Sequence, residues 1–189
     1  MTKLGWSILA LIVLAVAGFV ALLSSAPNRP APAPTPAVAE ASGDMVVPVA
    51  GFPRAALRSN WGDPRDGGER AHRGLDIMAP AGTPVVAAAP GRVEKLFQSD
   101  LGGTTLYQRS ADGSRSYYYA HLAGYAPGMN EGRMLRAGET LGFVGDTGDA
   151  GPGNYHLHFG VTRMAPGERW WQGEPVDPFP LLAPKNVSR

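Results

Sequence analysis

The sequence contains no cysteine. That excludes a disulfide framework, a Cys-ligated zinc finger and a thiol nucleophile. It also lacks an excess of either charge: 17 Lys and Arg stand against 16 Asp and Glu, a formal net charge of +1. A nucleic-acid binder carries a basic stripe, so nucleic acid is not an expected partner. Aromatic residues are few at 8%, but hydrophobic residues reach 44%, enough for a packed core and against wholesale disorder. No stretch after Leu23 sustains a 3.6-residue apolar period, so long helices are not expected there. With 25 Gly and 18 Pro, turns must be frequent, and no internal repeat is evident. Histidine is scarcer still, with only His72, His121, His156 and His158.

What is present begins with an apolar run. Leu4 to Leu23 carries Ser7 as its only polar side chain. Twenty helical residues span about 30 Å, the thickness of a bilayer's hydrocarbon core. Lys3 precedes the run, so the N-terminus is expected on the cytoplasmic side and the rest outside. Residues 1–26 are read as a membrane anchor, since the run is longer than the apolar region of most signal peptides. Ser24-Ser25-Ala26 nevertheless offers small residues for cleavage, which would yield a secreted form. Lys3 is the only charged residue in this segment, so the remaining chain is balanced and the slight basic excess is a topology signal. Residues 27–46 hold five prolines between Pro27 and Pro36. They are expected to be a disordered, extended spacer reaching at most roughly 60 Å.

Residues 47–183 read as one domain, with 184–189 as a tail. Val85 to Ala89, Arg92 to Phe97, Thr104 to Arg109, Ser114 to Ala120, Thr140 to Val144 and His156 to Thr162 are strand candidates. Ala111-Asp112-Gly113 between two of them signals a hairpin. Short strands at regular spacing predict an all-β, antiparallel sandwich or open barrel.

The histidines fall into a pattern. On a strand, residues i and i+2 share a face, so His156 and His158 point one way while Leu157 and Phe159 point to the core. On an extended segment, His72 and Asp76 also share a face, with Gly74 leaving the space between them open. An imidazole and a carboxylate flanking a gap suit zinc. Two His and one Asp supply three ligands and leave a fourth tetrahedral position for water, the mark of a catalytic site. The two remaining imidazoles are then available for acid–base work near neutral pH. Each piece alone has a plainer reading: a solvent-facing H-x-H, a surface ion pair, or, for His121, a structural histidine.

Taken together, the chain resembles the lysostaphin-type (LytM-domain) zinc endopeptidases, which cut peptide bridges in bacterial peptidoglycan. The resemblance rests on Trp61-Gly62-Asp63-Pro64-Arg65, His72-Arg73-Gly74-Leu75-Asp76-Ile77, Ala81-Gly82-Thr83-Pro84-Val85 and Tyr119-Ala120-His121-Leu122. It continues through Arg136 to Gly142, Gly145-Asp146-Thr147-Gly148 and His156-Leu157-His158-Phe159, covering roughly 49–177. It implies a compact antiparallel β fold with a groove between loops. It also implies one zinc ion held by His72, Asp76 and His158, with His121 and His156 as the non-ligand catalytic pair. We assign His121 as the base and His156 as its partner, with the reverse order open.

The implied activity is hydrolysis of peptide cross-links, with peptidoglycan stem peptides as the partner and a monomer as the working form. The expected location is the bacterial cell envelope, outside the cytoplasm. The alternative is a non-hydrolytic regulator that binds and activates another wall hydrolase. Two departures from the common pattern bear on substrate preference, Asn154-Tyr155 before the H-x-H and Gly160 after Phe159; a third, no Tyr between Arg65 and Ala71 to steady an oxyanion, leaves that task to Arg65 or Arg70. Trp170-Trp171 either lines the groove or packs on the core and a loop, and one or two of Tyr117, Tyr118 and Tyr119 are expected near the groove. No autoinhibitory domain is expected.

Overall fold

A computed structural model of the chain describes residues 45–183. The expected membrane segment, the tail and all of the Pro-rich spacer except Met45 and Val46 lie outside the described residues. Among the described residues, no helix is long and apolar enough to cross a membrane.

Eleven strands follow in order: β1 (Pro64–Arg65), β2 (Arg70–Ala71), β3 (Leu75–Met78), β4 (Pro84–Val86), β5 (Gly91–Ser99), β6 (Gly103–Ser110), β7 (Arg115–Tyr125), β8 (Met134–Leu135), β9 (Thr140–Val144), β10 (His156–Arg163) and β11 (Glu174–Val176). All pairings are antiparallel. β1 and β2 form a separate small hairpin, and the other nine belong to one sheet with the path β11-β10-β7-β6-β5-β8. Among the described residues, helix is confined to short turns, the last being Phe179–Leu182. The all-β expectation therefore holds for the described residues, and each strand candidate overlaps a strand, although Ala87 to Ala89 lie beyond β4 and Ser114 precedes β7.

The sheet branches along β7. Its first half pairs with β10 and β6, whereas Leu122 to Tyr125 pair with β9, which in turn carries β4. Side chains from both branches meet in one core, with Leu75, Val85, Val93, Leu106, Tyr119, Leu141 and Phe159 all nearly or wholly buried. Alternation explains this: in β10, Leu157, Phe159 and Val161 enter the core on one face. Met45 and Val47 already belong to the same core.

Two polar devices hold the fold. The Tyr119 hydroxyl, fully buried, donates to Gln108 Oε1 at 2.8 Å and accepts the Ala88 N–H at 2.9 Å. Gln108 in turn donates to the Ala89 carbonyl at 2.8 Å, so no group in this core network goes unpaired. The second device is Arg54, whose guanidinium donates to the carbonyls of both Met45 and Leu182. The hairpin at Asp112 is fixed by its carboxylate. Hydrogen bonds from the Ser110 and Ser114 hydroxyls and the Ser114 N–H bring that carboxyl down to about 2.

Candidate metal centre

The register of β3 on β10 sets His158 opposite Asp76 and His156 opposite Met78. Direct cross-strand neighbours lie close enough for their side chains to meet, so Asp76 and His158 form the base of the site. His72 reaches it by a bend. On a straight strand, Cα atoms four residues apart lie about 13 Å from each other, too far for contact. The chain instead bends at Gly74 between β2 and β3, and this brings His72 Nε2 within 3.0 Å of Asp76 Oδ1. The shared extended face expected from the sequence is thus corrected to a turn. Gly74 does supply space, and His158 uses it: a Cβ at residue 74 would lie 2.5 Å from its Cε1 and Nε2.

Three donor atoms now converge. His72 Nε2 and His158 Nδ1 are 2.9 Å apart, and His158 Nδ1 is 3.0 Å from Asp76 Oδ1. Tetrahedral ligands at ordinary zinc bond lengths are separated by about 3.3 Å, close to this triangle. His72 Nδ1 donates to the Asn60 carbonyl at 2.8 Å, which leaves Nε2 with a bare lone pair in the neutral ring. Three electron-rich atoms aimed at one point fit a divalent cation. Burial opposes the Asp76 charge, but the His158 and His72 imidazoles outweigh it and hold the carboxyl well below the usual carboxylate range. Burial pushes the His158 imidazole down, against the pull of Asp76.

His121 and His156 complete the cluster, with ring centroids 4.7 Å apart. Each donates its Nδ1 proton to a backbone carbonyl at 2.8 Å, His121 to Thr147 and His156 to Asn154. Both therefore present Nε2 as an acceptor when neutral. His156 Nε2 lies 3.9 Å from Asp76 Oδ1 and His121 Nε2 lies 4.0 Å from Asp149 Oδ1. Burial lowers the His121 pKa, more than the Thr147 carbonyl restores it.

His121 reaches this position through backbone strain. It has φ +59°, and among the described residues it alone takes a positive φ without being glycine. The register of β6 on β7 slips by one residue between Tyr119 and Leu122, a bulge that turns His121 away from the core.

The five residues border a groove of about 420 Å³ with Arg65, Arg70, Leu101, Tyr118 and Asp149. A second hollow shares Arg65, Asp76, Asn154 and His156 and extends to Asn60 and Met78. Arg65 pairs with Asp76 Oδ2, and its own Nε is buried without a partner. Arg70 Nη2 stands 3.4 Å from Asp149 Oδ2 across the groove. As expected, one of the three tyrosines faces the groove: Tyr118 does, while Tyr117 and Tyr119 enter the core. Trp170 and Trp171 do not border the histidines. Trp170 packs on Tyr107 and Phe97, and Trp171 is 56% exposed.

Sequence reasoning missed Asn60. Its side-chain amide donates to Asp76 Oδ2 at 3.1 Å and accepts the Asp76 N–H at 3.2 Å, while its carbonyl orients His72. Thr147 and Asn154 stand out in the sequence only as motif neighbours, and Asp149 not at all, because backbone carbonyls and partners across loops leave no spacing signal.

Fold and site together define a class: an all-β domain with a candidate mononuclear metal centre open to a groove. Within that class, the chain belongs to Peptidase family M23, whose pattern matches residues 70–178. It is 36% identical over 133 residues to the L-Ala--D-Glu endopeptidase of Bacillus subtilis, covering 67% of this chain and 39% of that protein. It is 37% identical over 97 residues to the peptidoglycan DD-endopeptidase ShyC of Vibrio cholerae, covering 51% of this chain and 21% of that protein. The chain thus spans well under half the length of these relatives. The catalytic domain of lysostaphin from Staphylococcus simulans superposes with TM-score 0.56 at 28% identity, over 66% of this chain and 90% of that one.

Proposed function

We propose that this chain is a zinc-dependent endopeptidase that hydrolyses peptide cross-links in bacterial peptidoglycan, working in the cell envelope outside the cytoplasm. The observation that carries the reading is the triangle of His72 Nε2, Asp76 Oδ1 and His158 Nδ1, with sides of 2.9–3.0 Å. We assign these three as the zinc ligands and His121 and His156 as the catalytic pair.

When bound, zinc supplies Lewis acidity and a water acidified toward neutral pH. The chain's own residues do the rest. His121 Nε2 takes up the proton of the attacking water, because its Nδ1 is already committed to Thr147. The same imidazole later returns that proton to the leaving amine. His156, its Nδ1 committed to the Asn154 carbonyl, presents Nε2 to hold the attacking water. Arg65 sits on the Asp76 side of the groove, where its guanidinium adds positive potential for the developing oxyanion.

Residues 4–23 are proposed to anchor the chain and 27–44 to space the domain from the membrane, since Met45 already packs in the core. The regulator reading is disfavoured because none of the five site residues is replaced. Incubation with purified peptidoglycan, with and without a chelator, followed by mass spectrometry of the released muropeptides, tests the proposal. Chelator-sensitive release of cleaved stem peptides is expected, and binding without cleavage would overturn it.

A further inference from the structure

The outer face of the sheet carries a row of aromatic rings that starts at the site. The Tyr118 ring stands edge-on to His158 with centroids 5.8 Å apart. Tyr107 follows at 4.6 Å on the neighbouring strand, then Trp170 at 4.7 Å. From Trp170 the row forks to Phe97 at 5.2 Å and Trp171 at 5.2 Å. The two ends of the fork are open to solvent, Phe97 at 39% and Trp171 at 56% exposure.

Two glycines make room for the first ring. A Cβ at Gly102 would lie 2.1 Å from the Tyr118 hydroxyl, and one at Gly160 would lie 3.3 Å from the Tyr118 Cβ. The Gly160 departure noted in the sequence thus has a physical consequence, since a longer side chain there would crowd Tyr118. Arg169 stacks on the row, its guanidinium carbon 5.2 Å from the Trp171 ring centre.

We propose that this row is a binding subsite for the glycan strand of peptidoglycan, with Trp171 and Phe97 stacking on the apolar faces of its sugar rings. Three observations select that occupant. The row is continuous with the groove, so a polymer that presents its stem peptide to the histidines lays its backbone within reach of the rings. Its rings are uncharged, which suits a neutral polymer and not the phosphates of a nucleic acid. Its exposed members are flat aromatic faces, and ring-face stacking does not require charged partners. The inference rests on the proposed peptidoglycan substrate, and deepens it by naming the part of the substrate held away from the scissile bond.

The test uses the full chain and peptide-free glycan strands, with soluble N-acetylglucosamine oligosaccharides as a second probe. Tryptophan fluorescence and co-sedimentation report binding. The expected result is saturable binding that Trp171→Ala and Phe97→Ala each weaken by about fivefold or more, and that Trp171→Phe largely restores. Both residues are exposed, so melting curves should match the parent and exclude unfolding as the cause. Undiminished glycan binding by both alanine variants would overturn the subsite. So would loss of binding only to phospholipid vesicles of mixed zwitterionic and anionic composition, which would make the row a membrane contact. Hydrolysis of glycan-free cross-linked peptides by the parent chain tests the peptidase reading separately. Ring-dependent glycan binding without such hydrolysis would sink the peptidase and keep the subsite; hydrolysis with ring-independent glycan binding would do the reverse.

Discussion

Asn60 and Asp76 are joined twice, the Asn60 amide donating to Asp76 Oδ2 at 3.1 Å and the Asp76 N–H donating back to Asn60 Oδ1 at 3.2 Å. A residue outside the His72–Asp76–His158 triangle therefore fixes both the carboxylate and the backbone that carries it. Groups in this position typically change metal affinity by roughly 10–100-fold when removed. Asn60→Ala is expected to weaken zinc binding by about that factor, measured by competition with a chromophoric chelator. An unchanged affinity would show that Arg65 alone suffices to hold Asp76.

The two kinds of histidine should separate by readout. His158→Ala and Asp76→Ala are expected to lose zinc on gel filtration with metal analysis. His121→Ala should keep its zinc and lose about 10²–10⁴-fold in turnover, the usual contribution of a general base. Full turnover by His121→Ala would hand the base role to His156.

Burial depresses the His121 pKa below the ordinary imidazole value of 6.5. A group with a lowered pKa stays neutral, and able to accept a proton, as pH falls through that value. The acid limb of kcat against pH is therefore expected below 6.5. Asp149, 4.0 Å from His121 Nε2, favours the charged ring. Asp149→Asn should move the limb to still lower pH, and a shift upward would contradict the proposed geometry.

Gly74→Ala should be damaging well beyond its size. The added methyl would lie 2.5 Å from the His158 ring and 2.9 Å from the Phe159 carbonyl. Overpacking of this kind costs about 1–3 kcal/mol, and the displaced ring should also lose zinc. Gly124→Ala serves as the control, because nothing lies within 4 Å of its Cβ position. Thermal melts and zinc content of the two variants give the comparison.

Tyr119→Phe probes the core without touching the site. It strips partners from the Ala88 N–H and Gln108 Oε1, both tied to the fully buried hydroxyl. Leaving such groups unpaired costs about 1–3 kcal/mol. Chemical denaturation should show that loss, with zinc affinity unchanged.

Strand alternation made much of this legible. It assigned Leu157 and Phe159 to the core and His156 and His158 to the groove, and a two-residue period needs only local sequence to be read. It fails at His121. Counting by twos from Tyr117 and Tyr119 would send that side chain into the core, and only the bulge with its positive φ sends it to the groove. A bulge depends on what the partner strand does, which the residues around His121 do not record. Asn60 is hidden for a related reason. Its contacts bridge sixteen positions to Asp76, and one asparagine among loop residues carries no period. The turn at Gly74 is partly visible, as a glycine between His72 and Asp76, but its angle is not.

The guanidinium of Arg54 takes the carbonyls of Met45 and Leu182 together, so the two ends of the described domain leave from one spot. A short peptide could join them, and the chain could be opened at the exposed Ala111–Gly113 turn between β6 and β7. Such a circular permutant would break no pairing between β3 and β10 and would cut none of the loops that hold the five groove residues. The order in which the elements are strung is therefore separable from the site, and the domain can be inserted within another chain as readily as tethered at one end.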